Sequence, residues 1–253
     1  MSSDLPYELF GTDAPTLGEV YVRERVRADR DADGRAGRRS SEVPAIVPAG
    51  ELVLRRRHAV VLGAPGTGKT SMVQRLVHRW SQAWLKPDGE SVPDQRLLRL
   101  VPVRVTAADL TGQGTFPELL AAALTRQLGA RLDTMLDPAM FVDGPAPGVD
   151  WLVCVDGLDE ILAPGRRKNV VRALRWRIVN GGSHRFLVTS RPLFLAELRP
   201  LYEAGAADGE LLPFTNDQLN WRTGSPSPPE TRSWTWPRAP MTTACTMRPF
   251  GCS

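Results

Sequence analysis

Cysteine, histidine and lysine are all scarce in this 253-residue chain, and each scarcity removes a class of chemistry. The three cysteines, Cys154, Cys245 and Cys252, and the three histidines, His58, His78 and His184, nowhere stand at metal-ligand spacing, so a zinc site is not expected. Cys154 lies inside an apolar run, where a buried free thiol is the expected state. With no disulfide framework in view, the expectation is a reducing, cytoplasmic setting. No apolar run approaches the length of a bilayer span, so no membrane partner is expected. The first residues, Met1-Ser2-Ser3-Asp4-Leu5-Pro6, lack the basic and apolar regions of a secretory leader.

Hydrophobic content of 42% and charged content of 24% are those of a globular protein, and the length suits one large domain or one domain with extensions. The net charge of +4 is not a nucleic-acid footprint. Residues 221–253 hold four arginines (Arg222, Arg232, Arg238 and Arg248) against one glutamate, Glu230, so most of that charge sits in the tail. The remaining chain is nearly neutral and needs no polyanionic partner.

The organising stretch is Val60-Val61-Leu62-Gly63-Ala64-Pro65-Gly66-Thr67-Gly68-Lys69-Thr70-Ser71. A short apolar run, His58 to Leu62, reads as a buried strand. A glycine-rich loop follows, and then Met72, Val73, Leu76, Val77 and Trp80 fall at helical spacing. Strand, G-x-x-x-x-G-K-T, helix is the context that a phosphate-binding P-loop requires. Gly63, Gly66 and Gly68 let the backbone turn tightly and bring N–H groups close to phosphate oxygens. The helix points the positive end of its dipole at the anion. Lys69 is expected to reach the terminal phosphates and the Thr70 hydroxyl to bind Mg²⁺, with Ala64, Pro65, Thr67 and Ser71 completing the cradle.

The second strong element is Trp151-Leu152-Val153-Cys154-Val155-Asp156, continuing Gly157-Leu158-Asp159-Glu160. Continuous apolarity fits a central parallel strand covered on both faces. Carboxylates just past its C-terminal end stand where open α/β sheets bind ligands. Asp156 suits Mg²⁺, and Asp159 or Glu160 suits the polarisation of an attacking water. A strand over Arg185–Ser190 ends at Arg191, well placed to sense a γ-phosphate.

The other elements are weaker. Leu17 to Val26 suits a strand or short edge segment. Residues 29–41, charged and almost free of apolar side chains, read as a solvated linker. Val43 to Pro48 is extended, and Glu51 to Leu54 suits a short helix. Leu97 to Thr106 reads as a strand, with Pro102 hinting at an edge position. Helices are expected over about 69–84, Phe116–Leu128, residues 166–180 and Leu193–Leu201. A last strand is expected at Leu211-Leu212-Pro213-Phe214-Thr215. Trp80, Trp84 and Trp176 fall on helices and suit packing better than base stacking.

Taken together, Gly63–Thr70, the Asp156-Gly157-Leu158-Asp159-Glu160 run, the Thr189-Ser190-Arg191-Pro192 run, and Leu212-Pro213-Phe214-Thr215 with Gln218 resemble the NACHT family within the STAND class of P-loop NTPases. The resemblance covers roughly residues 45–220. It implies an α/β fold, a three-layer α/β/α sandwich around a mainly parallel five-stranded sheet of AAA-related order. It also implies binding of ATP, with GTP left open, together with Mg²⁺, and a nucleotide-driven switch between closed monomer and self-associated states. By the same resemblance Lys69 and Thr70 bind phosphate and metal, Asp156 serves the metal, Glu160 with Asp159 serves hydrolysis, and Arg191 is the sensor. Bacterial members often work in defence or signalling.

Three functions compete at this point. One is a slowly hydrolysing signalling switch, and one is a fragment that binds nucleotide or a partner without turnover. The third, a motor ATPase, lacks support in its ABC form because no LSGGQ-like signature is present. A small-GTPase reading needs an N/T-K-x-D motif, and none of Lys69, Lys86 and Lys168 sits in one. The fragment reading draws on residues 221–253, which contain no Leu, Ile or Val and have little means of building a core. The expected organisation is therefore a lead-in over 1–44, a nucleotide-binding domain over 45–220, and a disordered or out-of-frame tail over 221–253.

Overall fold

The computed structural model describes residues 24–28, 45–85 and 94–213. The expected linker at 29–41, the strand residues before Glu24, the Phe214-Thr215 end of the last expected strand, Gln218 and the tail all lie outside the described residues.

Among the described residues seven strands form one sheet: β1 (Arg25–Ala28), β2 (Ala45–Pro48), β3 (His58–Leu62), β4 (Leu100–Thr106), β5 (Asp150–Asp156), β6 (His184–Ser190) and β7 (Ala207–Leu211). Their spatial order is β2-β1-β7-β3-β6-β5-β4. The five strands from β7 to β4 run parallel; β1 pairs antiparallel with β7, and β2 antiparallel with β1. The sheet thus keeps the expected parallel, AAA-related core and extends it to seven strands. The edge segment expected over Leu17–Val26 and the extended stretch over Val43–Pro48 overlap these two strands, but at four residues each they carry too little periodicity to be counted into the sheet.

Among the described residues five α-helices cover the sheet: α1 (Ala49–Arg55), α2 (Lys69–Trp84), α3 (Phe116–Leu128), α4 (Pro164–Asn180) and α5 (Leu195–Glu203). Two apolar clusters lie on opposite faces, as the strand period of two requires. Along β5, Trp151, Val153 and Val155 enter the cluster with α3, α4 and α5, whereas Leu152 and Cys154 enter the cluster with α1 and α2. β3 splits in the same way, Val60 to one side and Ala59 and Val61 to the other. The result is a three-layer α/β/α sandwich whose central strands have no polar face. Trp80 and Met72 of α2 are wholly buried, while Trp84 and Trp176 are exposed.

Pro102 lies on β4, and β4 is the sheet edge on its side, consistent with a residue that cannot donate to a ladder. Helix α3 begins at a reciprocal cap, with the Glu118 carboxylate accepting from the Thr115 N–H at 2.6 Å and from its hydroxyl at 2.9 Å. The last strand lies earlier than its apolar residues suggest. β7 is Ala207-Asp208-Gly209-Glu210-Leu211, alternately buried and exposed. Two of its three inward positions, Ala207 and Gly209, are too small to make an apolar run with Leu211. The reason is space: a Cβ on Gly209 would stand 2.8 Å from Val26 Cγ1 and 3.1 Å from Leu52 Cδ2.

Two predictions follow from this packing. Gly209→Val overpacks the β1–β7–α1 junction and should lower stability by about 1–3 kcal/mol in denaturant titration. The second concerns His58, buried at the start of β3 against Phe186 with ring centroids 5.6 Å apart. Burial first, and then Arg57 and Arg185, push its pKa down from 6.5 to about 4. Between those values the unfolded chain binds the proton and the folded one does not, so stability falls as pH drops from 6.5 toward 4. Denaturation midpoints measured across that window should fall less steeply in His58→Phe.

Candidate functional site

Parallel strands deliver their C-terminal ends to one edge, and here that edge gathers Gly63 after β3, Asp156 at the end of β5, and Ser190-Arg191 at the end of β6. Leu62 pairs with Ser190, and the Gly63 N–H donates to the Ser190 carbonyl at 3.0 Å, so the ladder runs into the loop without a gap.

The loop is built by its glycines. Gly66 and Gly68 have φ of 76° and 87°, and Gly68 stands as the N-cap of α2 in the left-handed region that only glycine enters cheaply. Beside Gly66 there is nothing within 4 Å of where a Cβ would be, so the space over the loop is open. Gly63 is crowded instead: a Cβ there would meet Thr67 Oγ1 at 2.6 Å and Lys69 Cγ at 3.3 Å. The Thr67 hydroxyl donates to the Ala64 carbonyl at 2.9 Å and its N–H to the same oxygen at 3.3 Å, closing the turn. Ala64, Pro65 and Gly66 form the exposed crown, and Thr70 and Ser71 enter the first turn of α2.

Lys69 bends back into this turn. Its Nζ donates to the Gly63 carbonyl at 2.8 Å and to the Ala64 carbonyl at 3.0 Å. Partial burial pulls its pKa below the usual lysine range; Asp159, Asp156 and Glu160 pull it upward, while Arg191 adds to the lowering. Lys69 therefore shares one electrostatic neighbourhood with Asp156, Asp159, Glu160 and Arg191. The first turn of α2 contains no acidic residue, so nothing cancels the positive end of its dipole.

Asp156 is buried and held at both oxygens. Oδ1 accepts from the Thr189 hydroxyl at 2.7 Å, and Oδ2 accepts from Arg104 Nη2 at 2.9 Å. Thr189 Oγ1 in turn accepts from the Gly157 N–H at 3.1 Å, so one buried hydroxyl locks β6 to the turn that carries Asp159 and Glu160. Asp159 accepts from the Arg191 N–H at 2.8 Å and forms an ion pair with its guanidinium at 3.0 Å. Glu160 is exposed, its carboxylate lies over Gly157, and it forms no ion pair among the described residues. The acid set thus divides: Asp156 is fixed, Asp159 holds Arg191, and Glu160 has the accessibility a base needs.

Thr189 and Arg104 escaped the sequence reading as site residues. Thr189 sits in a run already singled out, and its register opposite Asp156 follows from the β5–β6 pairing of Val155 with Val188. Arg104 had no signal, because its partner is 52 residues away on another strand. A further polar atom, Ser190 Oγ, is buried at the root of the loop with no hydrogen-bond partner among the described residues.

The donor set fits Mg²⁺ in the manner usual at phosphate sites, where one or two carboxylates act together with phosphate oxygens and waters. Asp156 and the exposed Thr70 hydroxyl are the residues that would hold it. Among the described residues no group of three or more His, Cys, Asp or Glu forms a cage able to hold a metal by itself, and no helix is long and apolar enough to cross a membrane.

No protein-family model matches the sequence, and no curated protein matches it. Solved structures do match. They include the Orc1 protein of Aeropyrum pernix in complex with DNA, at 19% identity over 72% of this chain and 50% of that one, with a TM-score of 0.39. The Orc2 protein of Aeropyrum pernix, as ADPNP–ADP complexes, matches at 18% identity over 67% of this chain and 48% of that one, with a TM-score of 0.39. The cytoplasmic domain of the Type VII secretion ATPase EccC from Thermomonospora curvata matches at 13% identity over 81% of this chain and 23% of that one, with a TM-score of 0.35. This chain spans about half the length of the two Orc proteins. With likeness this loose, function has to be read from the site.

Thr189→Val leaves Asp156 Oδ1 and the Gly157 N–H without their shared buried partner. It should cost about 1–3 kcal/mol in chemical denaturation, with Thr189→Ser restoring most of it.

Proposed function

We propose that residues 45–220 form a nucleoside-triphosphate-binding switch domain of the NACHT type within the STAND class, using ATP, with GTP left open. The observation that carries the proposal is the convergence at one sheet edge of a glycine-built anion loop, its lysine, a fixed acid and an accessible one. An anion above Gly66 would meet the N–H groups of the loop and the uncancelled dipole of α2. Lys69, released from the Gly63 and Ala64 carbonyls, would extend to the terminal phosphates. Mg²⁺, when bound, would draw negative charge off the phosphate oxygens. Asp156 and Thr70 would orient it.

Hydrolysis needs a base and a positive group near the γ-phosphate. Glu160 is suited to accept the proton of an attacking water. Asp159 keeps Arg191 at the same edge, where its guanidinium can turn from the ion pair to the γ-phosphate. That exchange would make the Asp159–Arg191 contact a reporter of nucleotide state, as a switch requires. Signalling or defence, a cytoplasmic location and nucleotide-dependent self-association belong to this same proposal and are supported by the DGLDE and TSRP stretches. The near-neutral charge outside the tail favours no nucleic-acid partner.

A second reading, nucleotide binding without turnover, is favoured by one specific observation. Two of the three acids, Asp156 and Asp159, are already paired with arginines. The two readings separate in one experiment on the 253-residue chain with ATP, GTP and Mg²⁺. Lys69→Ala should abolish nucleotide binding. Glu160→Gln should retain binding and lower turnover by about 10²- to 10⁴-fold, the usual contribution of a general base. Turnover absent from a wild-type chain that binds nucleotide would establish the second reading, and nucleotide binding unaffected by Lys69→Ala would overturn both.

A further inference from the structure

Arg104 is an unexpected neighbour for an acid assigned to a metal. It lies on the edge strand β4, level with Cys154 of β5, and so leaves the sheet on the α2 side. Its Nη2 reaches Asp156 Oδ2 at 2.9 Å, and its Nε is buried without a partner among the described residues. The Arg104 side chain is 28% exposed and that of Asp156 6%. Among the described residues Asp156 is the acid with which Arg104 forms an ion pair. The opposite oxygen is held by the neutral Thr189 hydroxyl. Asp156 therefore presents itself as half of a charge-neutral pair, not as a bare carboxylate.

We propose that Arg104 is a positioning residue that sets how strongly Asp156 takes a divalent cation, its guanidinium standing in for the cation's charge when none is bound. The inference rests on the nucleotide-binding reading and concerns the same site. A lone buried carboxylate attracts a dication strongly, whereas one already offset by a guanidinium does so weakly and brings two positive groups together. Arg104 must swing away or share Oδ2, and its partly exposed side chain allows either. Arginine suits this task because it keeps its charge at every accessible pH. The consequence is a site that holds nucleotide with little dependence on metal and engages the metal only at high concentration. The neutral Thr189 bond keeps Asp156 in place through the exchange.

The test uses the 253-residue chain with a non-hydrolysable fluorescent ATP analogue. Affinity is measured in EDTA and across a titration of Mg²⁺, and melting temperature is followed in the same titration without nucleotide turnover. Wild type should bind the analogue in EDTA nearly as well as in Mg²⁺. Arg104→Met should become strongly metal-dependent, with its half-effect Mg²⁺ concentration lowered about tenfold, the ratio that about 1.4 kcal/mol produces. Arg104→Gln, which keeps a donor and removes the charge, should shift the same way and serves if the methionine variant does not fold. Arg104→Lys should stay close to wild type. A Mg²⁺ midpoint unchanged in the neutral variants, with analogue binding intact, overturns this inference and leaves the nucleotide reading standing. Analogue binding absent from wild type, or equal in Lys69→Ala, overturns both.

Discussion

The central strands β3, β6 and β5 are buried on both faces, and that double burial governs everything at the site. Because successive side chains point to opposite layers, a one-residue slip in any of these strands would exchange the residues packed beneath α2 with those packed beneath α4. It would also move the strand end by roughly 3.3 Å, enough to part Gly63 from Ser190 or Asp156 from Thr189. The same packing that stabilises the fold thus fixes the relative height of the loop, Asp156 and Arg191. The hydrogen bond from Gly63 to Ser190 and the one from Thr189 to Asp156 are the local expressions of that register.

Charge at this edge is arranged in alternation. Lys69 is turned onto loop carbonyls, Arg104 onto Asp156, and Arg191 onto Asp159. Each cation is held by a partner that a polyphosphate and its metal would compete for. A ligand of that chemistry would have these contacts to exchange. The exchange is easiest at Arg191, whose side chain is 56% exposed while its partner Asp159 is 12% exposed, so the guanidinium can leave the pair with its own hydration largely kept.

Much of the architecture was legible because long, periodic or continuous apolar runs carry it. Helix α3 appears at its expected bounds, and β5 and β6 within a residue or so of theirs, since Leu120, Leu124, Val153, Val155, Leu187 and Val188 leave few alternatives. What the sequence marked only weakly was short or made of small residues. β1 and β2 take their strand character from pairing with each other and with β7, not from their own composition. β7 buries Ala207 and Gly209, which no hydrophobicity pattern would single out. A strand whose inward residues must be small leaves a weak trace in the sequence, because its stability comes from the close approach of its neighbours.

The sequence by itself determined the chemistry of the loop. Gly66 and Gly68 must be glycines for the backbone to curl, and Lys69 and Thr70 follow at the spacing a helix start imposes. It also determined that an apolar strand would end in Asp156 with Asp159 and Glu160 just beyond. Only the tertiary structure decided which groups those acids meet. Thr189 reaches Asp156 because β6 lies between the loop strand and the acid strand, and Arg104 reaches it because β4 closes the sheet on the other side. Strand order is set by long-range pairing and crossover geometry, which local composition does not encode. For that reason the ionic partner of Asp156 could be found only in the folded molecule.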